Sequence, residues 1–361
     1  MQISEDIRIP NTKIEKILTD PVATAKAVKL VYVSDKQDGF TRVKNGKNFR
    51  YLYKNKPLKD KTALQRIRSL VIPPAWEHVW ICKFDNGHLQ ATGLDALKRK
   101  QYKYHNLWNQ LRNQTKFYRM LKFGKALPAI RKQVEKDLSL KGFPKEKVLA
   151  AVVALMERTS IRIGSENYEK LYGSFGLTTL KDKHVDIKGS QLKFSFRGKK
   201  GIEHEINIKS KKLASIVKQC RDIPGKELFQ YYDEDGKKQA IDSGMVNEYI
   251  HDIIEGDFTA KDFRTWAGTV QALLAFKEVG DFETKTEAKR KIVEVLDKVS
   301  KHLGNTRTVC KKYYVHPSLL ELYENNKLTP YVDKLSATNG EVTGVGLEKE
   351  ERIIMELLES L

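Results

Sequence analysis

The chain has 361 residues, enough for about two or three domains with hydrophobic cores of their own. Lys and Arg number 66 against 46 for Asp and Glu, and the formal charge of +20 indicates a polyanionic partner, with nucleic acid as the first candidate. The sequence has no run of about 18 apolar residues and no secretory signal at its start, which argues against a membrane partner, so we expect a cytoplasmic protein.

Residues 1–105 predict a small β-rich domain that binds DNA. Short β-branched and aromatic segments, separated by Gly, Asn, Asp and Pro, are typical of strands. The predicted strands are Leu30–Val33, Phe49–Tyr53, Val79–Cys82 and Leu89–Thr92. The loops mix lysine and arginine with phenylalanine and tyrosine, which suits a phosphate backbone, but a solvated basic sheet face would show the same composition.

The segment from Lys98 to His105 is basic and aromatic, and a helical pattern follows it. We interpret it as a hinge or linker that contacts phosphates. Its candidate DNA-binding residues are Lys98, Arg99, Lys100, Gln101 and Tyr102.

Residues 106–330 predict a mainly helical domain with a small antiparallel sheet, which makes the fold class α+β. In Lys145–Arg158 the apolar residues recur at spacings of three and four, which predicts one buried helix face, and Arg162 follows just past it. Between about Val185 and Ile208 the apolar period changes to two. This change predicts a β-hairpin whose turn carries Lys199 and Lys200.

A second amphipathic helix is predicted from the capping box Thr259–Asp262 onward, with Arg264 just off its apolar stripe. Residues 331–361 predict a linker followed by an acidic amphipathic helix over Leu347–Leu361. The sequence indicates no role for this last part.

The sequence offers no recognisable metal or nucleotide site. Cys82, Cys220 and Cys310 are far apart, the histidines form no ligand cluster, and no phosphate-binding glycine loop precedes a helix. We therefore expect chemistry without a metal or an organic cofactor.

The segment Gly304–Pro317 places Tyr313 and Tyr314 beside Lys311 and Lys312. A tyrosine phenol has a pKa near ~10 and is a poor nucleophile at neutral pH, so adjacent cations would favour the phenolate and neutralise an attacked phosphate. Half-buried tyrosines in a basic helix would show the same pattern.

Several motifs, in this order along the chain, resemble the type IB DNA topoisomerases, in particular their poxvirus-like and bacterial branch. The resemblance extends from about Tyr32 to Pro317. The matching segments are Ile72–Trp76, Gln90–Gly93, Glu157–Gly164, Gly198–Lys200, Phe258–Trp266 and Val309–Tyr314.

The resemblance implies that Tyr314 attacks one phosphodiester of duplex DNA, forms a 3′-phosphotyrosyl link and allows strand rotation before resealing. It implies that Arg162 and Arg264 bind the non-bridging oxygens and that Lys199 protonates the departing 5′-oxygen. The reaction would need neither ATP nor metal, and the protein would act as a monomer that clamps duplex DNA, associated with the nucleoid.

Other positions gain a role through the same resemblance. Asn305 stands where poxvirus and eukaryotic members carry a histidine, and an amide donates a hydrogen bond but carries no proton to the reaction. Tyr168 matches a tyrosine that contacts DNA, although packing between helices would equally account for it. His316 lies outside the motif and is expected to be a turn residue. Candidate DNA contacts in this domain are Tyr168, Lys200, Lys311 and Lys312.

Two alternatives stay open at this point. A tyrosine recombinase shares the chemistry but usually carries histidine where this chain has Lys261, which favours the topoisomerase. A non-catalytic basic DNA-binding protein would bind phosphates through charge alone.

Overall fold

A computed structural model describes residues 20–46, 48–96, 98, 100–254, 258–337 and 345–361. The chain divides into two compact units, with Tyr118 closing the first and Arg119–Leu361 forming the second. The division falls within the helix Asn106–Leu138, whereas the sequence predicted a boundary after residue 105. Both helices and antiparallel sheets are present, which confirms the α+β class.

The first unit contains a six-stranded antiparallel sheet with strand order β3-β2-β1-β4-β5-β6. Its elements, followed by the helix that leads into the second unit, are α1 Pro21–Ala27, β1 Gly39–Asn45, β2 Asn48–Tyr53, β3 Lys56–Pro57, α2 Lys61–Ser69, β4 Glu77–Cys82, β5 Leu89–Leu94, β6 Lys100–Tyr104 and α3 Asn106–Leu138. Helix α2 covers one sheet face, because Ile67 packs against a core that includes Phe40, Val79 and Ile81.

Three of the four strands predicted for this unit are confirmed as parts of β2, β4 and β5. The prediction for Leu30–Val33 was wrong, since this segment makes only one isolated bridge, from Val31 to Gly87. Strand β1 was missed because its outer half is polar and exposed. The predicted hinge was also wrong: Lys100–Tyr104 is the edge strand β6, paired with β5.

The second unit is mainly helical. Its helices are α4 Lys145–Thr159, α5 Glu166–Tyr172, α6 Lys211–Asp222, α7 Ser243–Ile253, α8 Ala260–Val279, α9 Lys285–Leu303, α10 Arg307–Tyr313, α11 Pro317–Glu324, α12 Thr329–Ala337 and α13 Lys349–Glu359. Its strands are β7 Val185–Lys188, β8 Gln191–Arg197, β9 Glu203–Lys209, β10 Gln230–Tyr232 and β11 Lys238–Ala240. Short 3₁₀ turns cover Leu177–Thr179, Asp182–His184 and Lys199–Gly201.

Helices α4 and α8 form the centre of this unit, and both are buried on most sides. The predicted capping box at the start of α8 is confirmed, because Asp262 Oδ2 accepts the Thr259 N–H at 2.9 Å and helps fix where the helix begins. The predicted hairpin is also confirmed as β8 and β9, joined by the turn Lys199–Gly201. These elements place the basic residues that the sequence singled out.

The last part of the chain is more ordered than the sequence predicted. Helix α12 lies where a linker was expected, and the predicted terminal helix is confirmed as α13, which packs against α8 and α12. Within the described ranges, no helix has the length and apolar composition needed to cross a membrane.

Candidate active site

A cavity of about 270 Å³ in the second unit brings together side chains from separate elements. Its wall includes Arg162, Tyr168, Lys199, Lys261, Arg264 and Tyr314. Four of the five residues that the sequence proposed as catalytic therefore line one cavity. The fifth, Asn305, is not part of the wall but hydrogen-bonds to Arg162.

Arg264 projects from the second turn of α8 and is only 5% exposed. Its Nη1 donates to the Ser160 carbonyl, and its Nη2 donates to the Leu303 carbonyl at 2.7 Å. The guanidinium carbon lies 5.3 Å from the centroid of the Tyr314 ring. Burial lowers the pKa of Arg264, and the neighbouring Tyr314 partly opposes this shift. Two backbone acceptors thus hold a buried cation beside the candidate nucleophile.

Arg162 lies on the loop after α4, where Ser160 ends the helix with a left-handed backbone. Its Nη2 donates to the Gly304 carbonyl at 3.2 Å and to Asn305 Oδ1 at 2.7 Å. Burial, and then the positive charge of Arg264, lower the pKa of Arg162 to about 10. The buried Arg264 and the half-buried Arg162 carry like charges that destabilise each other, so an anion bound between them would be strongly stabilised.

Two buried side-chain nitrogens at this site have no hydrogen-bond partner among the residues that the structure describes: Arg264 Nε and Asn305 Nδ2. A buried donor without an acceptor costs about 1–3 kcal/mol. Arg264 binds the Leu303 carbonyl at the corner between α9 and α10, and Asn305 is itself part of that corner. The site therefore lacks acceptor atoms that a bound oxyanion would supply.

Tyr314 caps the C-terminus of α10, and its backbone lies directly against α8. A β-carbon at Gly268 would be 2.7 Å from the Tyr314 carbonyl oxygen and 2.9 Å from its Cβ, so only glycine allows this approach. The Thr269 hydroxyl donates to the same carbonyl at 3.2 Å and accepts the His316 N–H at 3.1 Å. These contacts fix the backbone that carries the phenol.

Lys199 lies in the hairpin turn, with its Nζ 4.8 Å from the centroid of the Tyr168 ring. The next residue, Lys200, has a left-handed backbone with φ of 65° and is not part of the cavity wall. The turn therefore directs only the first of the two lysines to the site.

The remaining predicted DNA-binding residues of this unit are on its surface. Lys311 and Lys312 are exposed on α10, and the Nζ of Lys312 is 5.3 Å from the Tyr313 ring centroid. Tyr168, on α5, is half-buried and is the residue of this set that lines the cavity.

In the first unit, acidic neighbours hold several predicted DNA contacts. Lys98 pairs with Glu77, Lys100 Nζ lies 2.5 Å from Asp35 Oδ2, and Gln101 donates to Asp95 at 2.9 Å. The Tyr102 ring is half exposed and stacks near Tyr104 with centroids 5.9 Å apart. Arg99 lies outside the described residues.

Sequence reasoning missed three residues that shape this site. In the sequence, Lys261 only favours a topoisomerase over a tyrosine recombinase, but in the structure it lines the cavity one turn before Arg264. Gly268 permits the approach of Tyr314, and His204 packs between the hairpin turn and Gly304. The sequence does carry a signal for His204: it is two residues from the inward-facing Ile206 on β9, so both side chains lie on the same face of the sheet.

His316 does not lie in a simple turn. It is buried, and its Nδ1 accepts the Ser318 N–H at 3.2 Å as the N-cap of α11. In the described part of the chain, no cluster of three or more His, Cys, Asp or Glu residues could hold a metal ion.

Comparison with known proteins identifies the relatives of both units. The family model for the catalytic core of eukaryotic DNA topoisomerase I matches residues 105–338. The model for the N-terminal domain of bacterial DNA topoisomerase IB matches residues 48–95. The two matches follow each other along the chain in the same order as the two compact units.

Individual relatives agree with the family models. DNA topoisomerase 1B of Acanthamoeba polyphaga mimivirus is 32% identical over 298 residues, which cover 80% of this chain and 88% of the relative. DNA topoisomerase 1B of Vaccinia virus (strain Copenhagen) is 22% identical over 246 residues, covering 67% and 75%. DNA topoisomerase 1 of Mycosarcoma maydis is 27% identical over 173 residues, covering 43% and 17%. By its catalytic-core match and its viral relative, the chain belongs to the type IB DNA topoisomerase family.

Proposed function

We propose that this type IB topoisomerase relaxes supercoiled duplex DNA by using the cavity at Tyr314 to cut and reseal one strand. The observation that carries this assignment is the pair of unpaired buried donors, Arg264 Nε and Asn305 Nδ2, beside the buried guanidinium of Arg264 and the half-buried one of Arg162. A phosphodiester offers the negative charge and the oxygen acceptors that this arrangement needs.

In the cleavage step, Tyr314 Oη attacks the phosphorus and releases its proton to solvent. The new P–O bond makes a 3′-phosphotyrosyl link, and the bond between phosphorus and the 5′-oxygen breaks. Arg162 and Arg264 stabilise the charge that grows on the non-bridging oxygens, and Asn305 Nδ2 donates a further hydrogen bond to them. Removing any one of these donors should slow cleavage by about 10²–10³-fold.

Lys199 donates a proton to the departing 5′-oxygen, so that a hydroxyl rather than an alkoxide leaves. Religation is the reverse: the 5′-hydroxyl attacks the phosphotyrosyl link, Lys199 accepts its proton, and Tyr314 leaves. One phosphodiester is exchanged for another, so the cycle needs no ATP. The arginines supply the positive charge that a metal ion would otherwise provide.

The proposal extends to the whole chain. The second unit serves as the catalytic domain of the kind shared by tyrosine recombinases and type IB topoisomerases, and the first binds duplex DNA as part of a monomeric clamp. The net charge of +20 favours nonspecific association with the nucleoid. DNA affinity should fall with salt at a log–log slope near ~0.9 per phosphate neutralised.

Plasmid relaxation tests the assignment. Purified protein should relax positively and negatively supercoiled plasmid in EDTA without ATP. Tyr314→Phe should still bind the plasmid but relax none of it, whereas Tyr313→Phe, which alters the adjacent phenol, should stay active. Relaxation by Tyr314→Phe, or a strict need for Mg²⁺ and ATP, would overturn the proposal.

A second experiment distinguishes the two lysines. Lys199→Ala should slow cleavage of an ordinary phosphodiester by ~10²–10⁴-fold. A substrate with sulfur in place of the 5′-oxygen has a leaving group that needs no proton, so it should restore the rate. If Lys200→Ala shows this rescue instead, the general acid is Lys200.

A further inference from the structure

His204 occupies a narrow gap between the turn that carries Lys199 and the corner between α9 and α10. A β-carbon at Gly198 would lie 2.6 Å from His204 Cδ2, and one at Gly304 would lie 2.4 Å from His204 Cε1. The imidazole ring therefore contacts the backbone on both sides. Neither glycine can be replaced without moving the ring or the chain.

The ring is also held from its own sheet. His204 on β9 is directly opposite Phe196 on β8, and their rings stack with centroids 5.0 Å apart and planes 16° apart. Phe196 is buried. The stack leaves the ring edge pointing between Gly198 and Gly304, so the position of the edge depends on the core of the sheet.

The corner on the other side of His204 is the one that both arginines contact. Arg264 donates to the Leu303 carbonyl, and Arg162 donates to the Gly304 carbonyl and to Asn305. Lys199 is on an exposed turn next to a left-handed residue. Backbone hydrogen bonds of this turn, from the Gly198 N–H to the Ile202 carbonyl and from the Gly201 N–H to the Gly198 carbonyl, are made within the hairpin itself. His204 is thus a direct packing link between that turn and the arginine-bound corner.

We propose that His204 is a positioning residue for proton transfer: it seats the hairpin turn against Gly304 and so sets where Lys199 Nζ meets the leaving oxygen. This inference rests on the proposed role of Lys199 as the general acid. A displacement of about 1 Å in a catalytic group can lower the rate by ~10²-fold, so removing the His204 ring should slow the proton-transfer step.

A ring without charge suits this role. Burial, and then the charges of Arg162 and Arg264, lower the pKa of His204, so the ring is neutral at physiological pH and does not compete with the arginines for the phosphate. The neutral His204 ring therefore separates the turn from the corner without adding a third positive charge there.

The test compares two leaving groups in single-turnover cleavage of a duplex oligonucleotide with a mapped cleavage site. On the ordinary phosphodiester, His204→Ala should slow cleavage by ~10–100-fold. On the matching substrate with sulfur at the 5′ position, the same variant should cleave within about threefold of the unaltered protein, because that leaving group needs no proton. DNA affinity, measured in a Tyr314→Phe background, should not change.

Two further variants make the result specific. Gly198→Ala pushes on the same ring from the turn side and should give the same sulfur-rescued defect, even if His204→Ala folds poorly. Glu205→Ala alters the next residue of β9, an exposed side chain paired with Lys193, and should leave cleavage of both substrates unchanged.

The possible outcomes separate this inference from the proposed function. If Lys199→Ala is rescued by sulfur but His204→Ala and Gly198→Ala are slowed equally on both substrates, the positioning role is overturned and the role of Lys199 stands. The inference is also overturned if His204→Ala cleaves the ordinary phosphodiester at the unaltered rate. If Lys199→Ala itself is not rescued, the general-acid assignment and the inference fail together.

Discussion

Arg162 donates from its Nη2 to Asn305 Oδ1 at 2.7 Å, and this bond fixes which end of the Asn305 amide is free to donate. Arginine only donates hydrogen bonds, so the amide oxygen must face Arg162 and the amide nitrogen must face away from it. That nitrogen is buried, and no partner for it exists among the described residues. The cation and the amide therefore act as one unit, in which Asn305 Nδ2 is a buried donor without a partner.

Substitutions of Asn305 should distinguish the role of its amide oxygen from the role of its amide nitrogen. Asn305→Ala removes the donor and should slow cleavage by about 10²–10³-fold. Asn305→Asp keeps an acceptor for Arg162 but places an acceptor toward the phosphate, and should slow it further. Asn305→His should retain most activity, because a neutral imidazole accepts at one nitrogen and donates at the other. Single-turnover cleavage rates check the order; equal rates for the Asp and His variants would contradict it.

Gly268→Ala should impair chemistry through the backbone of Tyr314. The new methyl group would lie 2.7 Å from the Tyr314 carbonyl oxygen and must displace it, so cleavage should slow at least ~10-fold while DNA binding is retained. Alanine itself favours a helix by up to ~1 kcal/mol over glycine, so the variant should stay folded. Gly244→Ala on α7, where the nearest atom is on a side chain, is the matched control. Normal cleavage by Gly268→Ala would show that the phenol tolerates this displacement.

Glu351 on α13 should be important for the stability of the second unit. Its carboxylate accepts from Arg131 Nη1 and Nη2 at 2.8 Å each and from Trp266 Nε1 at 2.8 Å, and Arg131 also binds Glu157. Burial alone would raise the pKa of Glu351, but the bonds from Arg131 lower it overall. Glu351→Ala should therefore reduce the free energy of unfolding by about 3–5 kcal/mol, measured by urea denaturation.

The control for that change lies on the same helix. Glu356 pairs with Lys334 in an exposed ion pair, so Glu356→Ala should cost less than ~1 kcal/mol. If the two variants lose similar amounts of unfolding free energy, the buried network contributes no more to stability than a surface ion pair does.

His316 should make stability depend on pH. Burial lowers its pKa to about 4, below the usual value near 6.5 that an unfolded chain would show. As the pH falls, the unfolded state therefore binds the proton first. The stability that depends on a neutral His316 is fully present above about pH 6.5 and is lost as the pH falls toward 4, on the order of 3 kcal/mol in all. His316→Asn can still cap α11 but does not titrate in this range. The difference in unfolding free energy between the two proteins should shrink by that amount between pH 7 and pH 4; a constant difference would contradict the assignment.

The sequence predicted local features well where a short segment determines them. The capping box at Thr259, the hairpin with Lys199 at its turn, and the terminal helix follow from capping, turn and periodicity rules that involve neighbours in the chain. The residues proposed as catalytic were found by resemblance to motifs, and the structure brings Arg162, Lys199, Arg264 and Tyr314 to one cavity.

What the sequence did not reveal depends on contacts between distant segments. The role of Gly268 follows from the backbone at Tyr314, far along the chain, and the role of His204 follows from Gly304. The sequence of Lys100–Tyr104 predicts a hinge because its lysines and tyrosines form no apolar face, and the structure gives the reason: an edge strand buries little. Periodicity detects a buried face but not which distant segment packs against it, and the strand Lys100–Tyr104 has no fully buried residue to detect.

The network at Glu351 has a consequence for the order in which the second unit completes its packing during synthesis. Arg131 and Trp266 leave the ribosome long before α13, yet both depend on Glu351, 220 and 85 residues away along the chain, for their buried partners. Trp266 is two residues from Arg264 on α8, so the helix that carries Arg264 makes this buried hydrogen bond only after α13 has emerged and docked. Every residue that lines the cavity precedes Glu351 in the sequence, so Trp266 gains its buried carboxylate partner only after all of the cavity wall has been synthesised.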